Sequence, residues 1–295
     1  MRVIITICCL LFVASLSTNC NTFIAERTDS VYMDYNYEKL GYKLFEPTAK
    51  HFLPYDLEEI SGLSYYKDGL LAAVEDEDGI LFLIEANSGE IAKKIEFGDS
   101  GDYEGVEIID DHVFVLDSDG DIFDFRLSDS DGDIDVDKEE TELSASNDTE
   151  GLGRLGNELL IALKGSGDID DNKVDGKAIY RYSVFKRKID EKEFLSIDEE
   201  RLNEFISKRK YFNKVNDFDP SGIAVHPITN DIYLLSADKV LSVFSSDKNL
   251  KEVIRLNPIT YNQAEGICFA PDGTMYISSE GDGGKGKLMT IKYEK

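Results

Sequence analysis

The sequence repeats one short phrase five times, with a glycine at its centre. The copies are Glu59-Ile60-Ser61-Gly62-Leu63, Asp102-Tyr103-Glu104-Gly105-Val106, Asp148-Thr149-Glu150-Gly151-Leu152, Asp219-Pro220-Ser221-Gly222-Ile223 and Gln263-Ala264-Glu265-Gly266-Ile267. Each glycine precedes an aliphatic residue, follows Ser or Glu (position −1), and has an acidic or amide residue at position −3. The glycines lie 43, 46, 71 and 44 residues apart. A strand-rich period of about 40 to 50 residues is typical of a β-propeller.

Short apolar runs fill each repeat between turn residues. In the first repeat, strands are predicted at Ile60–Tyr65, Leu70–Val74, Ile80–Glu85 and Glu90–Phe97, with Asp-Gly or Ser-Gly turns between the later ones. Strands of five or six residues joined by such turns form a meander of hairpins. The pattern therefore predicts an all-β fold, with each repeat forming one propeller blade.

The 71-residue interval is longer than a single blade requires. It holds a polar loop at residues 165–176 and a stretch, Ile197–Lys214, that predicts a helix with Asp198 as its N-cap. We therefore predict five blades with a short helical insertion in the third. A sixth, degenerate blade hidden in this interval is the alternative.

The fifth repeat has residues for only three strands before the chain ends. A strand-like segment, Gly41–Glu46, stands alone before the first repeat. Pairing the first and last strands would complete the fifth blade and leave no sheet edge open. We expect Gly41–Glu46 to supply that strand.

The first 20 residues predict an export signal. Arg2 precedes an apolar run, Val3–Leu16, which is shorter than a membrane span, and Cys20 follows at the position of a lipidated cysteine. Simple cleavage is the alternative to lipidation. Residues 21–40 then form a tether and residues 41–295 a single, monomeric propeller domain. Lipidation would place the protein in the cell envelope, anchored to a membrane.

The bulk charge narrows the possible partners. The chain has 59 acidic and 32 basic residues, a net charge of −27. This excess argues against nucleic acid, whose phosphates need clustered Lys and Arg. It suits a cation ligand or a solvated exported surface. Cys268 lies in an apolar strand pattern and is predicted to be a buried hydrophobe.

The repeated phrase predicts a ring of acids. In a propeller the first strand of each blade lines the axis, and side chains at −3 and −1 of an extended strand point to one side. Carboxylates gathered in this way repel one another unless a cation or protons compensate, and calcium takes six to eight oxygens. The alternative is that the acids face water in a wide channel. The predicted metal ligands are Glu104, Glu150 and Glu265 from position −1 and Glu59 and Asp219 from position −3, with Asp102 and Asp148 also on the ring.

A second set of polar residues ends the second strands and is predicted to line the same channel: Asp117, Lys164, Ser236 and Glu280. Lys164 could orient an anionic group or pair with a neighbouring acid. Two acidic stretches, Asp117–Asp121 and Asp129–Asp137, look like calcium loops. Neither has the Glu and flanking helices of an EF-hand, so we interpret both mainly as hairpin turns.

The last repeat is similar to that of a known family. Gln263–Ile267 followed by Met275–Glu280 resembles the final repeat of the SdiA-regulated (YjiK/CarP-like) β-propeller family, and Asp219–Gly222, Glu150–Leu152 and Leu116–Asp119 resemble its other repeats in the same order. The resemblance covers about residues 53–293. It implies an exported, membrane-associated propeller with calcium-linked roles and kinship to phytase-like esterases. The chain departs from the family at Lys164-Gly165-Ser166 and Ser279-Glu280-Gly281-Asp282, where the family usually continues Lys-Glu-Lys-Asn and Ser-Glu-Pro-Asn.

Three functions are compatible with these patterns. The first is a calcium-binding envelope module that takes a small molecule or an envelope protein as its ligand. The second is a metal-dependent phosphoester or ester hydrolase, which would need cationic side chains for the phosphoryl charge. The third is a protein-interaction propeller without a metal.

Overall fold

The repeated phrase begins the innermost strand of each of five antiparallel sheets. A computed structural model describes residues 40–127, 134–207 and 214–295, which belong to one compact unit. The innermost strands of consecutive sheets contact one another, and the fifth contacts the first. This ring of sheets is a five-bladed β-propeller, as predicted. Across the described residues, no helix is long and apolar enough to cross a membrane.

Blades 1 and 2 are regular four-stranded meanders, with each strand paired to the next along the chain. The strands of blade 1 are β2 (Ile60–Lys67), β3 (Leu70–Glu75), β4 (Ile80–Glu85) and β5 (Ile91–Glu96), and those of blade 2 are β6 (Tyr103–Ile109), β7 (His112–Asp117), β8 (Ile122–Arg126) and β9 (Val136–Glu139).

Blades 4 and 5 follow the same plan, except that blade 5 takes its outer strand from the start of the domain. The strands of blade 4 are β15 (Pro220–Val225), β16 (Ile232–Ser236), β17 (Val240–Phe244) and β18 (Leu250–Arg255), and those of blade 5 are β19 (Ala264–Phe269), β20 (Met275–Ser279), β21 (Lys287–Ile291) and β1 (Ala49–Phe52).

Blade 3 accounts for the long interval in the repeat. Two short outer strands pair with its third strand, one after the other along its length. The outer edge of this blade therefore consists of two strands. The helix α1 follows, capped by Asp198, whose carboxylate accepts a hydrogen bond from the Arg201 backbone N–H at 2.6 Å. The strands are β10 (Thr149–Leu155), β11 (Glu158–Leu163), β12 (Lys177–Ser183), β13 (Lys188–Ile189) and β14 (Leu195–Ile197), and α1 spans Glu199–Ile206.

The helical insertion is therefore confirmed, but it is shorter than the predicted Ile197–Lys214. Ile197 is the last residue of β14, paired with Lys177. Residues 208–213 lie outside the described residues. Asp198 separates the two elements because its extended backbone ends the strand while its side chain caps the helix.

The glycines of the repeated phrase lie where neighbouring blades approach most closely. A Cβ on Gly62 would lie 2.7 Å from the Val106 nitrogen, one on Gly105 2.7 Å from the Leu152 Cβ, and one on Gly222 2.4 Å from the Glu265 oxygen. Each contact runs from one blade to the next. The sequence repeat is thus required by packing at the axis.

Closure of the ring uses a different strand from the one predicted. The outer strand of blade 5 is Ala49–Phe52, paired with β21, and not Gly41–Glu46. The segment Gly41–Glu46 forms turns instead. Its Tyr42 is buried in an aromatic cluster, so its alternating apolar residues serve packing and not a strand ladder.

The aromatic cluster ties both ends of the domain to blades 4 and 5. Tyr42 packs with Tyr293 and His226 at ring-centroid distances of 5.2 and 5.9 Å, and its hydroxyl donates to the Gly273 carbonyl at 2.5 Å. His226 is fully buried, and its Nδ1 accepts hydrogen bonds from the backbone N–H groups of Ile228 and Thr229 at 3.1 Å. Burial lowers the pKa of His226, so it packs as a neutral ring.

The apolar core is divided into layers between adjacent blades. Buried side chains from blades 1 and 5, 1 and 2, 2 and 3, and 3 and 4 form four clusters. Cys268 belongs to the first of them and is buried, as predicted, where burial raises the pKa of its thiol well above the usual value. Blades are held to each other mainly by these layers.

The strands give the propeller two unlike faces. The mouth face is the end at which the innermost strands begin, and it carries the residues at position −3. The basal face is the opposite end, and it carries the turns between first and second strands at residues 68–69, 110–111, 156–157, 226–231 and 270–274.

We predict that Gly222→Ala destabilises the protein by about 2 kcal/mol or more. A Cβ there meets the backbone oxygen of Glu265, which cannot turn away, and overpacking of this kind typically costs ~1–3 kcal/mol. Gly284→Ala is the matched control, because its Cβ would lie 3.3 Å from its nearest neighbour, Gly281 O. Equal midpoints for the two variants in urea unfolding would contradict the packing role of Gly222.

Candidate functional site

A β-bulge occurs at the start of every innermost strand. The register between first and second strands shifts between Tyr103 and Gly105, between Thr149 and Gly151, and between Pro220 and Gly222. The same shift is present in blades 1 and 5, within Ile60–Leu63 and Ala264–Ile267. In blades 2, 3 and 4 the residue skipped by the ladder is the one at position −1. A bulge redirects the side chain of its extra residue, so position −1 no longer follows the alternation of the strand.

The bulges place the −1 and −3 residues at different depths. Four of the five −1 residues are buried, with Glu150 7% and Glu265 6% exposed, and Glu104 is half-buried. Glu59 and Asp102 at position −3 are exposed. The bulge interrupts the strand alternation from which we expected −3 and −1 to point to the same side, but in blade 2 the two side chains still meet, because Asp102 forms a hydrogen bond with Glu104. The −3 residues form an outer lip and the −1 residues an inner ring.

The inner ring surrounds a narrow cavity on the axis. Glu104, Glu150, Ser61 and Ser221 line it with the glycines of the phrase. The two serines bridge to the next blade: Ser61 Oγ donates to the Tyr103 carbonyl at 2.6 Å, and Ser221 Oγ donates to the Ala264 carbonyl at 2.8 Å. Serine at −1 therefore holds blades together, while glutamate at −1 brings a carboxyl group to the axis.

All three ring glutamates have raised pKa values, and the effect is strongest at Glu104 and Glu265. Burial, together with the charges of Glu150, Asp102 and Glu265, raises the pKa of Glu104 to about 9. Burial, followed by the charges of Glu150 and Glu280, raises the pKa of Glu265 well above its usual range. These mutual effects show that the carboxyl groups lie close enough to repel one another.

Lys164 pairs with one member of this ring. Its Nζ donates to Glu150 Oε1 at 2.5 Å and lies 4.0 Å from Asp148 Oδ2. Burial raises the pKa of Glu150, the ion pair with Lys164 lowers it, and the outcome is about 7. Burial alone would lower the pKa of Lys164, but Glu150 outweighs it and raises that pKa. The prediction that Lys164 pairs with a neighbouring acid is confirmed.

Two further acids at the ends of second strands extend the cluster. Burial, then the charges of Asp76 and Glu59, raises the pKa of Glu280 to about 7. Burial, then the charge of Glu59, raises the pKa of Asp76 to about 6, and its buried Oδ1 has no hydrogen-bond partner. We name Asp76, Glu104, Glu150, Glu265 and Glu280, with Lys164, the axial acid cluster.

Sequence reasoning missed Asp76 because the second set of residues mixed two register positions. Lys164 and Glu280 each follow the second-strand residue that pairs with position −2 of their blade. Asp76 holds the same place in blade 1. Asp117 and Ser236 lie one residue earlier, directly opposite position −2. An alignment of the second strands on their pairing residue would have found Asp76.

Asp117 and Ser236 make their hydrogen bonds close to their own hairpins. Asp117 accepts from the Asp121 backbone N–H at 2.9 Å and lies 3.8 Å from Lys138 Nζ, which binds Asp121 at 2.8 Å. Ser236 Oγ donates to Asp238 at 3.5 Å. The stretch Asp117–Asp121 is therefore a hairpin turn with a lysine counter-ion, as interpreted. Most of the second acidic stretch, residues 129–133, lies outside the described residues.

The predicted ligands at position −3 are divided between two environments. Glu59 raises the pKa values of Asp76 and Glu280, so it borders the axial acid cluster. Asp219 instead forms an ion pair with Lys177 at 2.9 Å. The charge of Asp102 raises the pKa of Glu104, and the charge of Asp148 raises the pKa of Glu150. The structure therefore groups Glu59, Glu104, Glu150 and Glu265, and sets Asp219 apart.

The oxygen atoms of the cluster have the right chemistry for a hard cation but do not form a coordination shell as they stand. Within residues 40–127, 134–207 and 214–295, no group of three His, Cys, Asp or Glu side chains is close enough to hold one metal ion. Protons and Lys164 compensate the carboxylates in this arrangement. The cluster can exchange protons near neutral pH.

The fold is shared with enzymes of known structure. No protein-family model and no curated protein sequence matches the chain. Among solved structures, Myxococcus xanthus glutaminyl cyclase superposes with a TM-score of 0.56 at 12% identity, covering 84% of this chain and 95% of that one. The PQQ-bound aldose sugar dehydrogenase of Streptomyces coelicolor superposes with a TM-score of 0.50 at 13% identity, covering 84% and 99%. At such identities the likeness shows the β-propeller fold alone.

We predict that Glu104→Gln stabilises the protein increasingly as pH rises from about 5 to about 9. The folded pKa of Glu104 is raised, so the unfolded state ionises first, and the wild type loses stability between the unfolded and folded pKa values. Glutamine mimics the protonated acid and has no such loss. At alkaline pH we expect a melting temperature higher by roughly 3 °C or more, because ~1 kcal/mol shifts it by ~2–4 °C in a domain of this size.

Glu90→Gln is the matched control, since Glu90 is exposed on blade 1 far from the axis. Thermal unfolding of both variants across the pH range is the measurement. A melting-temperature difference for Glu104→Gln that stays flat with pH, or that equals the control, would show that Glu104 is ionised in the folded protein.

Proposed function

We propose that the protein is an exported, membrane-anchored β-propeller that binds a cation, calcium first among them, at the mouth of its axis. The observation that carries the proposal is the mutual raising of pKa values within the axial acid cluster. Carboxylates that repel one another in a partly buried site gain most from a shared positive charge. A divalent cation supplies that charge and displaces the protons.

Calcium suits this donor set better than other ions. Its ligands are oxygens, and it tolerates flexible arrangements of six to eight of them, including water and backbone carbonyls. Glu104, Glu265 and Glu280 offer carboxyl groups that Lys164 does not bind directly in this arrangement. The exposed lip, with Glu59 and Asp102, would guide the ion to the mouth.

Export and anchoring rest on the first residues of the chain and on the family resemblance. Residues 1–20 have the pattern of a signal ending at a lipidated Cys20. The SdiA-regulated β-propeller family, which the last repeat resembles, comprises membrane-associated exported propellers. We therefore place the protein in the cell envelope, as a binding or calcium-linked module.

A hydrolase is the second candidate, and one observation favours it. Glu150 and Glu280 have pKa values of about 7, which is where a general acid or base works best at neutral pH. Enzymes share the fold, glutaminyl cyclase among them. A phosphoester hydrolase also needs cations for the phosphoryl charge, and Lys164 is already paired with Glu150.

A metal-free interaction propeller is the third candidate. Phe52 and Tyr55 are 61% and 68% exposed beside the mouth face. Exposed aromatic side chains are enriched in protein interfaces.

We predict that calcium raises the melting temperature by roughly 5–10 °C at a hundredfold excess over its dissociation constant. Ligand that binds only the folded state adds ~2.7 kcal/mol there, and ~1 kcal/mol corresponds to ~2–4 °C. The double variant Glu104→Gln/Glu265→Gln should lose the shift. Binding should also release protons, detectable as a buffer-dependent enthalpy in calorimetry, because the ring acids are protonated beforehand.

Asp121→Asn is the matched control, since Asp121 belongs to the other acidic stretch and pairs with Lys138. It should keep the full calcium shift. No shift in the wild type would reject calcium as the ligand, and a shift lost only in the control would move the site to the blade 2 turn. Turnover of a phosphate ester that a chelator abolishes would favour the hydrolase.

A further inference from the structure

The basal rim of blade 3 carries an exposed phenylalanine beside a basic groove. Phe185 is 96% exposed at the turn between β12 and β13, and Lys186, Arg187 and Lys188 follow it. An aromatic side chain such as phenylalanine buries ~150–250 Å² of surface when it moves from water into an apolar environment. A single exposed apolar residue is common on soluble proteins, so the residues around Phe185 decide whether it belongs to a binding surface.

The groove next to Phe185 is unusual for so acidic a chain. It measures about 560 Å³ and is lined by five cationic residues against three acidic ones, whereas the whole chain has 59 acidic and 32 basic residues. The cationic residues are Arg181, Lys186, Lys188, Lys192 and Lys248.

The cations of the groove are not equally available. Arg181 is held by Asp190 at 2.6 Å and Glu158 at 3.2 Å, and Lys188 Nζ lies 3.7 Å from Glu142. Lys248 comes from blade 4, and its Nζ lies over the ring of Phe194 in blade 3 at 4.2 Å. Lys186 and Lys192 are exposed at the groove surface. The groove therefore offers positive charge from two blades at the edge where Phe185 projects.

The chain enters the propeller on this same basal face. Gly41 O accepts a hydrogen bond from Glu294 N at 2.9 Å, and Tyr42 hydroxyl binds Gly273 O in the basal turn of blade 5. The segment that precedes Leu40 contains Cys20, and 19 residues (21–39) separate the two. At no more than ~3.6 Å per residue, that segment reaches up to ~70 Å, so it allows contact between this face and a membrane.

We propose that the basal rim formed by Phe185 and the basic groove docks on the headgroup layer of an anionic lipid bilayer. Phe185 inserts at the boundary of headgroups and acyl chains, and Lys186, Lys192 and Lys248 face lipid phosphates. Peripheral proteins combine apolar insertion with basic side chains in this way, and one lipid chain alone gives only reversible binding. The inference rests on the proposed anchor for its setting, and it adds the surface that would fix the orientation of the domain.

The chain has no tryptophan, so the inference can be tested with one introduced fluorophore. Phe185→Trp and Phe52→Trp are prepared in the full lipid-carrying chain, because both side chains are exposed and Phe52 lies at the mouth end of β1. Each is mixed with phosphatidylcholine vesicles with or without about a third phosphatidylglycerol. Quenching by brominated acyl chains reports insertion. Co-sedimentation of the same samples, with Cys20→Ser as reference, reports anchoring.

We expect a blue shift and strong quenching for Phe185→Trp on anionic vesicles, and neither for Phe52→Trp. Adding Lys186→Gln and Lys248→Gln to Phe185→Trp should reduce the quenching severalfold. The docking is overturned if Phe185→Trp is unquenched on vesicles that sediment the protein, if both tryptophans are quenched equally, or if no form binds vesicles. Quenching of Phe185→Trp that persists in Cys20→Ser would support the docking while rejecting a role for the anchor.

Discussion

Contact between neighbouring innermost strands at the axis is the constraint on which the structure depends. Five strands approach so closely that a Cβ on each of their glycines would come within about 3 Å of the next strand. In turn, the aliphatic residue after each glycine packs into the layer between two blades, as Leu63, Val106 and Leu152 do. A larger residue at these positions would meet the neighbouring strand, so glycine permits the approach. The phrase recurs because every blade must satisfy the same contact with its neighbour.

The same contact determines where the carboxyl groups lie. A strand that begins so near the axis bulges at the residue before its glycine, and the bulge turns that side chain inward. In blades 1 and 4 the residue is serine, which bonds to the next blade. In blades 2, 3 and 5 it is glutamate, whose carboxyl group lies among other acids; Glu150 is paired with Lys164, and Glu265 has a hydrogen bond with Ser221 of blade 4. Burying carboxyl groups beside one another opposes stability, because each must hold a proton or share a positive charge such as that of Lys164. That asymmetry supports a functional role for the glutamates over a structural one.

The period and the turn residues were sufficient to predict the fold. The glycine spacing predicted five blades, the turn residues predicted the strands of the first repeat to within two residues, and the Asp198 cap predicted the helix in blade 3. Three features needed coordinates. Gly41–Glu46 has a strand pattern, but its Tyr42 packs against rings contributed by residues near the far end of the chain. The bulge at position −1 leaves no mark in the pattern of apolar residues. Asp76 can be assigned to the axial acid cluster only when the strands are aligned in the correct register, because an error of one residue selects a different side chain.

The two faces divide the chemistry of the molecule. The first and last segments of the domain meet at the basal face, through Tyr42, His226 and Tyr293. The axial acid cluster lies at the other end of the strands, one blade height away. Because the chain enters at the basal face, the proposed docking of that face would direct the acidic mouth away from the membrane surface. An anionic headgroup layer would repel that mouth, while the lysines at the basal rim would be attracted to it. The lysines of the blade 3 rim and the path of the chain would therefore favour the same orientation, although they arise from separate parts of the sequence. A ligand for the mouth would then approach from the aqueous side, where the exposed carboxylates of Glu59 and Asp102 meet it first.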